Sequence, residues 1–163
     1  MDEIDEFLFP QAALAPDFTV EDVQGNPVTL STLRGQIVIL DFWATWCHPC
    51  TQAMPHLQEV AQRYRDRGVV VLAVNVWEDL ESLELWLTQH PEYNDIRFAI
   101  DLEEKKRDVA KKLYRADGIP TQYVLKRDGT VYAGRTGYGD SADAELDAVL
   151  LAVLTEPAET PSV

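Results

Sequence analysis

The stretch IVILDFWATWCHPC, residues 37–50, decides the fold of this 163-residue chain. Its first seven residues form a short, almost continuous apolar run that is rich in β-branched and aromatic side chains, which predicts a buried central strand. The next segment, 48–67, has apolar side chains near helical spacing and is predicted to be a helix that kinks at Pro55. The strand therefore delivers Cys47 and Cys50 to the start of a helix.

Patterning on either side of this stretch predicts the remaining sheet and its covering helices. The predicted elements are a hairpin at 17–30, a helical turn at 31–34, strands at 69–76 and 96–100, a helix at 80–90, a surface helix at 103–115 that buries Val109, Ala110 and Leu113, a hairpin of strands 122–125 and 131–134, and a last helix at 143–154. Strands that alternate with helices pair in parallel through right-handed crossovers, whereas the terminal hairpin is antiparallel. The sequence thus predicts an α/β fold with a central mixed β-sheet flanked by helices and an N-terminal β-hairpin extension.

A single domain is expected at residues 16–155, between an N-terminal arm at 1–15 and a flexible C-terminal tail at 156–163. The arm contains three apolar side chains that could dock on the domain, namely Phe7, Leu8 and Phe9.

Composition and charge exclude several functions. The chain carries 14 basic and 28 acidic residues, a net charge of -14, which argues against binding to nucleic acid or to an anionic lipid surface. No stretch approaches the roughly 20 apolar residues of a membrane-spanning helix. The acidic start, residues 1–6, lacks the basic and apolar regions of an export signal, so no such signal is visible.

The chain has two cysteines, and they form one Cys-x-x-Cys pair. A disulfide that closes so short a loop restrains the unfolded chain very little, so the pair is predicted to serve chemistry. The N-terminus of a helix favours the thiolate of Cys47, which is expected to be exposed and to attack disulfides. Cys50, one turn further into the helix, is expected to be shielded and to resolve the mixed disulfide by attacking Cys47.

Three neighbouring residues are expected to tune this chemistry. A protonated His48 adds positive charge beside the Cys47 thiolate, and Pro49 suits the first turn of a helix. Asp41 interrupts the apolar strand, and a buried carboxyl with a raised pKa can exchange protons with Cys50. The competing interpretations are a merely exposed histidine and an aspartate bonded to backbone or water.

Metal binding and protein interaction are the alternative functions. Structural zinc needs four ligands, and His56 and His90 show no ligand spacing relative to the single cysteine pair. No metal or other cofactor is therefore expected beyond a redox-active disulfide. A Cu(I) metallochaperone could use Cys47, Cys50 and His48 as ligands. A non-catalytic interaction domain is the third interpretation, and the intact cysteine pair disfavours it.

Residues 42–50 resemble the thioredoxin superfamily, and more specifically its TlpA/ResA-like branch of thiol–disulfide oxidoreductases. Further segments match that branch in the same order, namely Ala15-Pro16-Asp17-Phe18, Leu33-Arg34-Gly35, Asp41, Pro55, Ala73-Val74-Asn75-Val76-Trp77-Glu78 and Gly118-Ile119-Pro120-Thr121. The match covers about residues 15–154 of the chain. It implies a thioredoxin-like fold and an enzyme that exchanges or reduces protein disulfides through a mixed disulfide.

The resemblance also assigns a substrate-binding loop. It implies that Pro120 is a cis-proline that faces the cysteines, although cis X-Pro bonds are a minority in folded proteins. The backbone of Ile119 would pair with a bound substrate strand, and Thr121 belongs to the same loop. Trp46 would cover the disulfide, the alternative being ordinary core packing.

A second acidic residue is implied by the same resemblance. Glu78 would help Asp41 to manage protons at Cys50, the alternative being a solvated side chain that leads into the next helix. The sequence also departs from ordinary thioredoxin, because His48-Pro49 stands where thioredoxin has Gly-Pro. The redox potential of thioredoxin therefore cannot be carried over to this chain.

The implied partners are proteins with thiols or disulfides and a redox donor or acceptor protein, with the chain acting as a monomer. A peroxidase is disfavoured because Thr45 lies two residues before Cys47, whereas peroxiredoxins place a threonine three residues before their reactive cysteine. The branch suggests a periplasmic or cell-envelope location and a part in cytochrome c maturation and cell redox homeostasis. A cytoplasmic location is the alternative.

Overall fold

A computed structural model describes residues 13–156 of the chain. Residues 1–12, which include most of the expected arm with Phe7, Leu8 and Phe9, lie outside the described residues. So do residues 157–163 of the expected tail. The domain boundaries drawn from the sequence therefore remain predictions.

Across residues 13–156, seven strands form one mixed sheet in the order β2-β1-β5-β4-β3-β6-β7. The strands are β1 Thr19–Glu21, β2 Pro27–Thr29, β3 Ile37–Trp43, β4 Val69–Asn75, β5 Arg97–Ile100, β6 Thr121–Leu125 and β7 Val131–Thr136. Strands β3, β4 and β5 are parallel to one another. Strand β6 runs antiparallel to β3, β7 runs antiparallel to β6, and β1 runs antiparallel to β5. The predicted mixed sheet with an N-terminal hairpin is confirmed.

The helices lie close to their predicted positions. Those of the described part are α1 His48–Arg63, α2 Leu80–Gln89, α3 Val109–Lys112 and α4 Ala142–Thr155, with 3₁₀ turns at Leu30–Leu33, Arg65–Arg67 and Glu103–Lys105. The segment predicted as one helix to residue 67 is α1 followed by a 3₁₀ turn, and Gly68 closes that turn at φ 74°. Positive φ is inexpensive for glycine, which explains why the chain turns into β4 there. No helix of this part is both long enough and apolar enough to cross a membrane.

Strand β3 separates two apolar cores because its side chains alternate between the faces of the sheet. Ile39 and Trp43 pack on the face that helices α1, α2 and α4 cover. Leu40 and Phe42 pack on the opposite face, against Phe18 and other side chains of the N-terminal region. The same alternation places the side chain of Asp41, two residues from both Ile39 and Trp43, on the α1 face.

The prediction of a surface helix at 103–115 is wrong in two respects. The helix is much shorter than predicted, and Leu113, which was expected to be buried, is exposed. The segment is a 3₁₀ turn and the single-turn helix α3, separated by residues with positive φ that end regular helix, namely Lys106 and Asp108. The carboxylate of Asp101 accepts a hydrogen bond from the backbone N–H of Val109 at 2.8 Å, which starts α3 late. Leu113 is consequently 38% exposed, and Tyr114 fills the core position instead.

Candidate active site

Both cysteines lie at the edge of the sheet where the parallel strands β3, β4 and β5 end. Cys47 caps the N-terminus of α1, and Cys50 lies in its first turn. The two residues form a disulfide with their Cα atoms 5.2 Å apart. The backbone N–H of Cys50 points at the Sγ atom of Cys47 at 3.3 Å. This N–H and the helix N-terminus together favour negative charge on Cys47 once the disulfide is reduced.

The expectation that Cys47 is exposed is wrong for this disulfide form. Cys47 is only 6% exposed and Cys50 is fully buried. Cys47 is thus the more exposed of the two, as predicted, but the difference in exposure is small. The cause is the loop before β6, whose Ile119 carbonyl oxygen lies 3.6 Å from Cys47 Sγ. His48 and Pro49, between the cysteines, are both exposed.

The loop before β6 has the shape that the resemblance implies. The Ile119–Pro120 peptide bond is cis. Thr121, which pairs with Phe42 of β3, is fully buried, and its hydroxyl donates a hydrogen bond to the Gly118 carbonyl at 2.6 Å. The Ile119 carbonyl faces the disulfide, whereas the Thr121 side chain is buried and bonds the loop from inside.

Asp41 lies in the middle of β3 and is fully buried. Among residues 13–156, neither of its carboxyl oxygens has a hydrogen-bond partner, which does not fit an aspartate bonded to backbone. Burial disfavours the charged form and raises the pKa of Asp41 from 3.8 to about 7, although the nearby Gln122 side chain and the Arg135 charge lower it in part. Asp41 points to the α1 face, and Cys50 is buried in the core on that face. A carboxyl that titrates near neutrality thus lies under the helix that carries both cysteines.

Glu78 is bonded to the loop that precedes the cysteines and is not a solvated side chain. One carboxylate oxygen accepts hydrogen bonds from the backbone N–H of Thr45 at 2.7 Å and from the side-chain amide of Asn75 at 2.6 Å. Its other oxygen accepts the Thr45 hydroxyl at 2.5 Å. Within the described chain, no hydrogen bond joins Glu78 to Asp41 or Cys50. Its direct effect is therefore on the position of the loop.

Trp46 lies on the surface beside Cys47, so the core-packing alternative is wrong. Trp46 is 62% exposed, and its indole N–H donates a hydrogen bond to the Trp77 carbonyl oxygen at 3.3 Å. Trp77 has φ 59° and its own indole N–H donates to Asp108 at 3.1 Å. The ammonium of Lys111 lies 5.0 Å from the Trp77 ring centroid, a cation–π arrangement. The two tryptophans thus form one rim of the disulfide site.

Sequence reasoning missed residues that structure brings to the site, namely Thr45, Asn75, Trp77, Gln122 and Arg135. A usable signal existed for Asn75 and Gln122. Asn75 is the polar end of the otherwise apolar strand β4, and Gln122 lies in the largely apolar strand β6. In the described part of the chain, no group of three or more His, Cys, Asp or Glu side chains could hold a metal ion.

Residues 12–133 match the profile of the AhpC/TSA family. The thiol-disulfide oxidoreductase ResA of Geobacillus kaustophilus is 35% identical over 131 residues, which cover 80% of this chain and 72% of that protein. The ResA protein of Bacillus cereus is 30% identical over 117 residues, or 72% of this chain, and the match spans only 64% of its length. A Chlorobium tepidum crystal structure, described as a thiol:disulfide interchange protein of the DsbE type, is 31% identical and superposes with a TM-score of 0.77, over 88% of this chain and 97% of that one.

Proposed function

Because the chain belongs to the AhpC/TSA family of the thioredoxin superfamily, we propose that it is a thiol–disulfide oxidoreductase that acts on protein disulfides through Cys47 and Cys50. The observation that carries the proposal is the disulfide at the N-terminus of α1, with the Ile119 carbonyl against Cys47 Sγ. A structural cross-link of this length would add little stability, whereas a disulfide at a helix start is suited to exchange.

The reaction starts from the reduced pair. The Cys47 thiolate attacks one sulfur of a substrate disulfide, the substrate S–S bond breaks, and one substrate thiolate leaves. Cys50 then loses its proton and attacks Cys47 Sγ, which releases the second substrate thiolate and forms the Cys47–Cys50 disulfide. Two electrons pass from the protein dithiol to the substrate. A thiol donor of the same chemistry resets the pair, and the reverse sequence oxidises a substrate dithiol.

Asp41 is the group that takes the proton from Cys50 in this scheme. A buried thiol is a poor nucleophile until it is deprotonated, and water has no access to a fully buried Cys50. A carboxyl with a pKa of about 7 can both accept and return a proton at neutral pH. Glu78 acts indirectly, because it fixes Thr45 in the loop that leads to Cys47.

The substrate is a protein segment that lies in an extended form across Ile119 and Pro120. Ile119 is partly exposed and lies two residues before strand β6, so an incoming strand finds its backbone groups beside Cys47. The exposed face of Trp46 adds apolar area next to the attacked disulfide. His48, also exposed, adds positive charge beside the Cys47 thiolate when it is protonated.

The cellular setting is proposed from the family branch alone. It comprises the cell envelope, a redox partner protein that supplies or accepts electrons, and disulfides formed during cytochrome c maturation among the substrates. The chain is proposed to act as a monomer.

Reduction of insulin disulfides by dithiothreitol, followed by turbidity, tests the proposed function. Catalytic amounts of the wild-type protein should shorten the time to precipitation, and Cys47→Ser should abolish the effect. Leu151→Ala, an exposed position on α4, is the matched control and should behave as wild type. A wild-type protein no faster than dithiothreitol alone, or an active Cys47→Ser variant, would overturn the proposal.

A further inference from the structure

Three polar residues form a row across neighbouring strands, beginning at Asp41. Asp41 of β3 pairs directly with Gln122 of β6, and Gln122 pairs directly with Arg135 of β7. Residues that lie directly opposite each other in an antiparallel pair project from the same face of the sheet. The three side chains therefore share the face that α1 and α4 cover, where their neighbours along each strand are apolar, such as Ile39 and Val124.

The far end of the row reaches solvent through α4. The Arg135 guanidinium donates to the Glu145 carboxylate at 2.8 Å and to the Ala142 carbonyl at 2.7 Å. The Arg135 side chain is 12% exposed and that of Glu145 is 58% exposed. A cavity of about 30 Å³ lies between β6, β7 and α4, with Gln122, Arg135 and Glu145 in its wall. A space of this size accommodates a water molecule, so solvent can come within one strand of Asp41.

The groups around the Asp41 carboxyl can be named from every side. On the β4 side its direct neighbour is Ala73, which offers no polar side chain. Helix α1 contributes Cys50, and it also carries His56, whose imidazole contacts Asp147 of α4 at 2.9 Å. On the β6 and β7 side, Gln122 contributes a side-chain amide and Arg135 a positive charge, and both lower the pKa of Asp41.

The geometry points to Gln122 and Arg135 as positioning residues for the proton step at Cys50, acting through the Asp41 carboxylate. The inference rests on the proposed function and names two more residues for it. To accept the Cys50 proton, Asp41 must be ionised beforehand, and an ionised carboxylate without a partner is strongly disfavoured in an apolar core. The amide N–H₂ of Gln122 and the positive charge of Arg135 supply the stabilisation that β4 and α1 lack. After the step, the proton that Asp41 holds returns to solvent on the same side of the sheet.

Titration of the Asp41 carboxyl carbon by ¹³C NMR in the reduced protein tests the inference directly. Gln122→Leu and Arg135→Leu should each move the midpoint to higher pH by about one unit, a tenfold change in proton affinity. Arg135→Lys keeps the positive charge and should keep the midpoint near that of wild type. The pH at which the reduced protein reaches half its maximal rate of Cys50-dependent disulfide closure should rise in parallel with the midpoint.

Two controls separate tuning from a loss of structure. Val124→Ala opens space on the same face of β6 without removing a polar group, so it should lower stability and leave the midpoint unchanged. Glu145→Gln removes the surface partner of Arg135 but not its charge, so the midpoint should not rise. Unchanged midpoints in folded Gln122→Leu and Arg135→Leu, or an equal rise in Val124→Ala, would overturn the inference. Because the titration needs no substrate, it decides this point even if insulin reduction fails.

Discussion

The carbonyl oxygen of Ile119 lies 3.6 Å from the Sγ atom of Cys47, although 72 positions separate the two residues in the chain. The loop that holds Ile119 is fixed by the buried Thr121 and by its pairing with β3, the same strand that leads to Cys47. Strand β3 thus positions both the reactive sulfur and the backbone that receives a substrate. Because both are attached to β3, the cysteines at the N-terminus of α1 keep a fixed position relative to the Ile119 loop.

The exposed Trp46 is expected to contribute to binding of protein substrates. Trp46→Ala should raise KM for insulin by about fivefold, because loss of an aromatic contact at an interface costs about 1 kcal/mol. The rate with a small disulfide such as oxidised glutathione should stay the same. Leu85→Ala, at another exposed apolar position, is the control and should change neither rate. Equal loss with both substrates would contradict a role in substrate binding.

The Cys47 thiol is expected to titrate below 8.5, the ordinary value for a free thiol, by about one unit or more. The reason is the Cys50 N–H at 3.3 Å from Cys47 Sγ together with the N-terminus of α1. The pH dependence of iodoacetamide alkylation of the reduced protein, followed by peptide mass spectrometry, gives this pKa. A midpoint at 8.5 would refute activation by the helix terminus.

Replacement of Asp41 should make the disulfide form more stable at alkaline pH. In the folded protein the pKa of Asp41 is raised to about 7, against 3.8 when it is unfolded, so unfolding releases a proton between these values. Stability from this group is therefore fully present below pH 3.8 and is lost as pH rises through about 7. Asp41→Asn removes this ionisation. Its free energy of unfolding should exceed that of wild type by up to about 4 kcal/mol at pH 8, and the loss of the ionisation should make no difference below pH 4.

Urea unfolding of both proteins at pH 4, 6 and 8 measures that difference. Phe42→Leu, one position along β3 on the opposite face, should shift stability by the same amount at every pH because it carries no charge. A difference between Asp41→Asn and wild type that did not grow with pH would contradict a buried, ionising carboxyl.

Glu78 is expected to stabilise the loop before Cys47. Glu78→Gln keeps the size of the side chain but loses a charged acceptor, and should cost about 1 to 3 kcal/mol of unfolding free energy. Hydrogen exchange at the Thr45 amide, which donates to Glu78, should accelerate. Thr45→Val removes only the hydroxyl bond and should cost less than Glu78→Gln. An unchanged exchange rate at Thr45 would show that the carboxylate does not hold the loop.

Local patterning was sufficient for most of the fold. Apart from Asp41, the run 37–43 is apolar on both faces, which is typical of a central strand. The segment 103–115 was less predictable because its shape depends on distant partners. The Arg107 guanidinium bonds Glu21 and Asp101, and these contacts take precedence over helix propensity in the segment that follows.

The candidate site was only partly predictable for the same reason. Cys47, Cys50 and Asp41 stand in one short stretch, so their spacing carries the information. The bond between Thr45 and Glu78 spans 33 residues, and the pairing of Gln122 with Asp41 depends on the register between β3 and β6. Neither relationship leaves a trace in local sequence beyond a polar residue in an apolar strand. The burial of Cys47 likewise depends on a loop that is distant in the chain.

In the proposed reaction, Cys47 attacks the substrate disulfide and Cys50 resolves the mixed disulfide. The most direct test incubates the reduced Cys50→Ser variant with insulin and maps covalent adducts by peptide mass spectrometry without reductant. A dithiothreitol-reversible insulin adduct on Cys47 that accumulates in Cys50→Ser, does not persist in wild type and is missing in Cys47→Ser is the expected result. No adduct in Cys50→Ser, or an equal adduct on Cys50 in Cys47→Ser, would contradict the claim.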